Sequence, residues 1–138
     1  MNFSVTTLAL LLAVAPLAAQ EPSAVLPTAV GSPEHYVGNC PTKIEFVGHV
    51  TVTIPGTRLD YRWERSNGDS SKLLHAQVGV ARSAPQDSSR VPLTAALPSD
   101  FWRLGLPGHS SQFWDVLHIE SPVDIRSAPA RVLVECRD

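Results

Sequence analysis

Three polar side chains have the types and spacing of a transition-metal site. His118 and Glu120 are separated by one residue, which places them on the same face of a β-strand, and His49 faces outward from an earlier stretch with strand periodicity. Imidazole and carboxylate groups are common ligands of transition metals. Solvated polar residues on an exposed sheet face give the same pattern. We favour that second interpretation and predict neither a metal nor another cofactor.

A second group supplies the residue types of a hydrolase, because His109, Ser110 and Ser111 precede Asp115 by a few positions. A catalytic triad is a spatial arrangement of separate segments, however, and three such types in one short stretch arise by chance. The chain also lacks a nucleophile elbow, a zinc-protease motif, a phosphate loop and a calcium loop. We therefore predict that the protein is not an enzyme, with a small metal-dependent or hydrolytic enzyme as the alternative.

Residues 1–19 of this 138-residue chain have the composition of a cleavable signal peptide. The apolar run from Val5 to Ala15 is too short to cross a bilayer, which takes about 20 apolar residues. Small residues follow it, and cleavage is expected after Ala19. We expect a product that is not inserted in the membrane and that resides in the periplasm or outside the cell.

The remaining chain divides into two predicted regions. Residues 20–39 are rich in Pro and Gly without a sustained period, which predicts a linker or a loosely attached arm. Residues 40–138 form one domain of ordinary size. The formal net charge is −2, with no run of like charge. This balance has no electrostatic footprint for nucleic acid, so we predict no nucleic-acid partner.

Short stretches of alternating apolar and polar residues run through the 40–138 region. In the clearest one, Leu59, Tyr61 and Trp63 alternate with charged residues. The predicted strands cover residues 43–53, 58–64, 73–81, 91–97, 101–104, 113–121 and 130–136. Pro92 favours an edge position for the fourth, since proline cannot donate to a ladder. About seven short strands with turn signals between them predict an all-β, antiparallel, immunoglobulin-like β-sandwich.

Cys40 and Cys136 are the only cysteines, and they bracket almost the whole β region. In an oxidising compartment such a pair is most simply a disulfide. Redox catalysis usually needs a Cys-x-x-Cys spacing, and two cysteines alone do not make a zinc site. We therefore predict a structural disulfide that joins the first strand to the last.

The same region resembles a group of small secreted bacterial domains. The shared features are Cys40-Pro41, Ile44-x-Phe46-x-Gly48-x-Val50, Tyr61-Arg62-Trp63-x-Arg65-Ser66-x-Gly68, Trp102-x-Leu104-Gly105, Leu117-x-Ile119-x-Ser121-Pro122 and the closing Cys136. Those domains are uncharacterised and immunoglobulin-like. The resemblance implies a sandwich fold and an exported bacterial setting, and no known activity. The spacing of Trp63 from Cys40 departs from antibody domains, so a central inter-sheet disulfide is not expected.

Phe113 and Trp114 cannot both enter one core, because adjacent strand residues point to opposite faces. With Phe113 inward, Trp114, Val116 and His118 form an outward apolar patch with polar neighbours, the composition of an interaction surface. Asp115 is then the one polar member of the inward set. A bulge that shifts the register would instead make Trp114 a core residue. We favour the core interpretation and keep the outward one open.

The function predicted from these features is that of an exported, non-catalytic binding or accessory module. The ligand is not identified, and a protein or a carbohydrate partner is possible. A further alternative is a secreted inhibitor or chaperone-like protein that pairs an exposed strand edge with another chain. The fold by itself does not choose among them.

Export predicts the N-terminus of the mature protein. Protein recovered from the periplasm or the medium should begin at Gln20, because the small residues before it form the cleavage site. N-terminal sequencing measures this directly. Exported material that still starts at Met1 would refute the prediction.

Overall fold

A computed structural model describes residues 23–80 and 91–138. The predicted signal peptide, residues 20–22 of the predicted linker and the last residue of the predicted strand 73–81 lie outside these ranges. The strands are β1 (Val25–Ser32), β2 (His35–Gly38), β3 (Thr42–Val52), β4 (Thr57–Arg65), β5 (Leu74–Val78), β6 (Leu93–Leu104), β7 (Ser110–Ser121), β8 (Ile125–Arg126) and β9 (Ala130–Cys136). Within the two described ranges there is no helix of the length and apolar character needed to cross a membrane.

The strands form two sheets that pack into a sandwich. The three-stranded sheet has the order β1-β3-β6, and the six-stranded sheet has the order β2-β9-β7-β4-β5, with β8 paired to β7. All pairings are antiparallel except that of β2 with β9. This division matches that of immunoglobulin domains, in which strands B and E lie opposite strands C, F and G. The predicted all-β sandwich is confirmed, with nine described strands in place of about seven.

The predicted linker at residues 20–39 is wrong for most of its length. Strand β1 pairs with β3 along its whole length, and β2 runs parallel to β9. The inward side of β1 includes Pro27 and Gly31, both buried, and such residues carry no strand signal. A Cβ added at Gly31 would overlap Val132 of the other sheet. The first described strand of the domain therefore begins at Val25, and the close approach of the two sheets explains the glycine.

Strand β6 unites two predicted strands. Residues 91–97 and 101–104 were expected as separate elements, whereas the structure has one strand from Leu93 to Leu104. Its register against β3 shifts between Phe46 and Gly48, which accommodates one extra residue in β6. The edge position indicated by Pro92 is confirmed among the described strands, because β6 pairs only with β3.

Trp63 occupies the centre of the sandwich. It is 1 % exposed, and a Cβ added at Gly48 of β3 would lie 2.9 Å from its Cζ2 atom and 3.0 Å from Cδ2 of Leu117 on β7. In antibody domains the corresponding strands B and F carry the inter-sheet disulfide that packs on a strand-C Trp. Here a glycine and a leucine lie beside the Trp. The ring thus fills the space between the sheets without a central disulfide.

The disulfide lies at one end of the sandwich. Cys40 and Cys136 are bonded, with their Cα atoms 5.5 Å apart, which confirms the predicted pairing. The bond joins the connection between β2 and β3 to the end of β9. Gly105 packs against it: its φ is 98°, and an added Cβ would lie 2.5 Å from the sulfur of Cys136. Both the backbone angle and the lack of space require glycine at this position.

Removal of this bond is expected to destabilise the domain. Cys136→Ser should lower the free energy of unfolding by about 2–5 kcal/mol, because the bond closes a long loop and restricts the unfolded chain. Urea unfolding of the oxidised protein and the variant measures the difference. Cys40→Ser serves as the matched variant, and the double variant should cost no more than either single change. Two titratable thiols in the denatured, non-reduced protein would contradict the pairing.

Candidate functional site

The candidate metal ligands lie on opposite sides of the sandwich. His49 is on the outer face of the three-stranded sheet, whereas His118 and Glu120 belong to β7 of the six-stranded sheet. The core lies between them. Across residues 23–80 and 91–138, no three His, Cys, Asp or Glu side chains are grouped so that they could hold a metal ion. The three candidates are therefore not brought together.

Three of the four residues with hydrolase side-chain types, Ser110, Ser111 and Asp115, lie on the extended strand β7, and His109 directly precedes it. Ser110 is exposed at the start of β7, and Asp115 is fully buried five positions later. A strand rises about 3.3 Å per residue, so roughly 16 Å separates the two residues. Side chains at that distance cannot form the hydrogen-bonded chain that a triad requires.

His118 faces outward from β7 but is not solvated, in contrast to the prediction. It is only 6 % exposed because β8 pairs with β7 beside it. Its Nε2 atom lies 2.6 Å from Asp124 Oδ1, and Nδ1 lies 3.1 Å from Glu64 Oε1. The hydrogen bond to His118 lowers the pKa of Asp124. His118 thus holds the turn between β7 and β8 in place and offers little surface to a partner.

Trp114 faces outward, so the favoured core interpretation is wrong. Its relative exposure is 38 %, whereas Phe113 packs edge-on against Trp102 at 5.7 Å between ring centroids. Strand β7 pairs with β9 from Ser110 to Asp115 without a register shift. The shift in its pairing with β4 lies farther along, between Asp60 and Tyr61 of that strand. The alternation along β7 is therefore unbroken around Trp114.

The backbone of Trp114 is held by the turn that follows β4. The amide of Ser66 donates to the carbonyl of Trp114 at 2.9 Å, and the amide of Trp114 donates to the Ser66 hydroxyl at 3.2 Å. The guanidinium carbon of Arg131 lies 5.5 Å from the centroid of the indole ring. A cation over the face of an indole is attracted by the ring quadrupole. The ring is therefore presented from a fixed strand with one neighbour stacked on it.

The residues around the ring form one patch, which we call the Trp114 surface: Trp114, Val116, Arg131 and Leu133. Arg131 pairs directly with Trp114, and Leu133 pairs with Gln112, which puts it on the diagonal that an aromatic side chain reaches. Val116 and Leu133 are half-buried. Beyond Val116 the face becomes charged, with Arg126 bonded to Glu64 at 2.8 Å. An apolar centre with a charged border is the result.

A polar cluster ties the two sheets together beneath this surface. Arg65 of β4 donates from Nε and Nη2 to the two carboxylate oxygens of Asp100 on β6, both at 2.9 Å. The ring of Trp102 lies 5.1 Å from the guanidinium carbon. The carboxyl group of Asp115 on β7 lies next to that of Asp100. A guanidinium and two carboxyl groups therefore connect one strand of the three-stranded sheet to two strands of the six-stranded sheet.

Asp115 is uncharged at neutral pH. Burial, its hydrogen bond with Asp100 and the charge of Asp100 raise the pKa of Asp115 to about 9. Burial opposes ionisation of Asp100 as well, but hydrogen bonds from Arg65 and Asp115 outweigh it and keep the pKa of Asp100 below its usual range. Asp115 Oδ1 accepts a hydrogen bond from the amide of Val116 at 3.1 Å, whereas no amide, hydroxyl or other donor of the described residues reaches Oδ2. The cluster thus holds one negative charge, one positive charge and one proton.

Sequence reasoning identified Asp115 as the polar member of an inward set, but not its partners. Arg65, Asp100 and Asp115 come from three separate strands, and no spacing in the sequence connects them. Arg131 and Leu133 were likewise missed, because only strand pairing brings them beside Trp114.

Comparisons with known proteins produced no match, whether with protein-family models, with curated proteins or with solved structures.

The raised pKa of Asp115 predicts a pH-dependent stability. Between an unfolded pKa of about 3.9 and the folded value, the native state binds more protons, so the free energy of unfolding falls as pH rises, by up to about 1.4 kcal/mol per pH unit. Asp115→Asn keeps a donor toward Asp100 and cannot ionise, so its stability should fall less between pH 5 and pH 8, two points within that window. Urea unfolding across this range tests it.

Asp69→Asn is the control, because Asp69 lies in an exposed turn. This variant should retain the slope of the unchanged protein. Equal slopes for Asp115→Asn and the unchanged protein would contradict the assignment of the buried proton.

Proposed function

We propose that this protein is an exported, non-catalytic binding module that recognises a protein partner through the Trp114 surface. The observation that carries the proposal is an indole ring exposed on a strand whose backbone is held at both its amide and its carbonyl. Tryptophan and arginine are enriched among the residues that dominate binding energies at interfaces. A backbone that is already held in place loses little conformational freedom when a partner binds.

The surroundings of the ring favour a protein over a carbohydrate. Val116 and Leu133 border the indole, and both are aliphatic. A sugar needs several polar groups directed at its hydroxyls, whereas a protein hot spot needs an apolar centre with a polar rim. Arg131 forms no ion pair within the described residues and is available for a carboxylate of the partner.

Export to the periplasm or the cell exterior is part of the proposal. The bond between Cys40 and Cys136 is of the kind that persists in oxidising compartments. The apolar N-terminal run with small residues after it supports the same setting.

The other candidate functions have less support. For a metal-dependent or hydrolytic enzyme, the candidate side chains lie on separate faces or far apart on one strand. For partner recognition by strand pairing, the edges of the six-stranded sheet are only four and five residues long, and each of the longer edges of the three-stranded sheet, β1 and β6, contains a proline that lacks an amide donor. Short edges provide few free backbone groups for another chain.

The proposal first predicts how Trp114→Ala affects stability. Removal of an outward ring should lower the free energy of unfolding by about 1 kcal/mol or less, as other surface substitutions do, because it leaves no cavity. Trp63→Ala is the comparison, since loss of the central ring should cost about 3–5 kcal/mol. Thermal and urea unfolding of both variants give these values. A loss in Trp114→Ala as large as that in Trp63→Ala would remove the basis of the proposal.

Binding is then measured with the folded variant. The unchanged protein, Trp114→Ala and Phe101→Ala are immobilised at equal density and exposed to envelope and secreted proteins of the source cells. Phe101 is the control, because it is an exposed aromatic on the other sheet. We expect a partner whose recovery falls at least about tenfold only for Trp114→Ala. Equal recovery with all three proteins, or retention of an oligosaccharide instead of a protein, would argue against the proposal.

A further inference from the structure

The outer face of the three-stranded sheet has an unusual composition. Strand pairing aligns its outward side chains in rows: Leu26 with Thr51 and Thr94, Thr28 with His49 and Ala96, and Val30 with Val47. We call these eight residues the neutral face. They include no Asp, Glu, Lys or Arg, and His49 is their only titratable member. Leu26 and Val30 are 60 % and 49 % exposed, although an outward sheet face is normally polar.

The outer face of the six-stranded sheet is of the opposite kind. It carries the ion pairs Arg62–Glu120 at 2.6 Å, Arg126–Glu64 at 2.8 Å and His75–Asp60 at 2.6 Å. On the three-stranded sheet, outward charges are confined to one end, where Lys43 lies over the ring of Phe101. The two outer faces of the sandwich therefore require partners of different chemistry.

We infer that the neutral face is a docking surface for a second copy of this chain, related to the first by a two-fold axis. A charged surface placed on the neutral face would lose its hydration without gaining a counter-charge, which is strongly unfavourable. The six-stranded sheet of another copy is thus a poor match. The neutral face of another copy brings no charge to be desolvated, and two copies of one surface form the interface that two-fold symmetry requires.

The two sheets of one copy already pack face to face, which is the geometry that such a contact needs. Sheets pack face to face at a spacing of about 10 Å, with interdigitated side chains. The aliphatic and threonine side chains of the neutral face are short, and two of its three rows are in register across all three strands. Two such faces form a further sheet-on-sheet layer.

The size of the neutral face determines how strong the contact is. The neutral face has three rows at two-residue spacing along β1, so it measures about 20 Å by about 14 Å, or roughly 280 Å² in projection. A standard interface buries about 800 Å² on each partner. The dimer is therefore weak and reversible, and its population depends on protein concentration.

This inference is independent of the Trp114 surface, which lies on the other side of the sandwich. In the dimer both Trp114 surfaces remain exposed and point away from each other. Two linked binding sites raise the avidity for a partner that is itself repeated or attached to a surface.

The test compares two valines of nearly equal exposure. Val30 is on the neutral face, and Val37 is on β2 of the six-stranded sheet, with exposures of 49 % and 51 %. Sedimentation equilibrium of the purified exported protein, over about a hundredfold range of concentration, should show a shift from one copy to two. Val30→Lys should raise the dissociation constant at least about tenfold, because two like charges enter the interface. Val37→Lys should behave as the unchanged protein.

Several results would overturn the inference. One is an unchanged protein that stays monomeric at every concentration, as it would if another segment or another protein covered the neutral face. Another is a Val30→Lys protein that dimerises as strongly as the unchanged protein. Loss of the dimer in Val37→Lys alone would assign the contact to the other sheet. Circular dichroism checks that each variant is folded. Thr28→Lys, at an exposed position on the neutral face, replaces Val30→Lys if the latter does not fold.

Discussion

Strand β7 pairs with β9 along its first half and with β4 along its second half, and its side chains alternate without interruption from Ser110 to Ile119. This alternation determines which residues enter the core and which face solvent. Leu117 and Ile119 reach the core beside Trp63, and Asp115 is carried inward with them. The same constraint turns Trp114 outward. A shift of one residue would exchange the two sets, so the core and the candidate surface are set by one register.

The buried carboxyl group is a consequence of that register. An ionised Asp115 in the core would be costly, and the structure avoids the cost by keeping the group protonated against Asp100, whose charge is balanced by Arg65. The cluster connects the sheets where the aromatic packing of Trp102 ends, so a polar contact takes the place of further apolar packing. The disulfide joins the sheets in a second place. Asp115 pairs with Ala130 at the start of β9, whereas the disulfide lies at Cys136, where β9 ends.

The two outer faces differ because their charges are distributed differently. On the six-stranded sheet, charged side chains pair across neighbouring strands beyond Val116 of the Trp114 surface. On the three-stranded sheet, β1 contributes no charged residue at all. Both faces cover the same core, so packing alone does not require this difference. It is consistent with two contacts of unlike chemistry, one to a charged partner and one to a neutral surface.

The sequence alone determined the features that depend on local pattern. Alternation in residues 58–64 and 130–136 identified β4 and β9, and the number and placement of cysteines identified the disulfide. Only the tertiary structure decided the features that depend on pairing between distant segments. Strand β1 is stabilised by its pairing with β3. Periodicity did not predict it, because its Pro and Gly interrupt the alternation of apolar and polar residues. His118 is covered by a two-residue strand, and Asp115 meets Asp100 from another sheet. Burial and proton affinity are set by neighbours in space, and a sequence pattern specifies only neighbours along the chain.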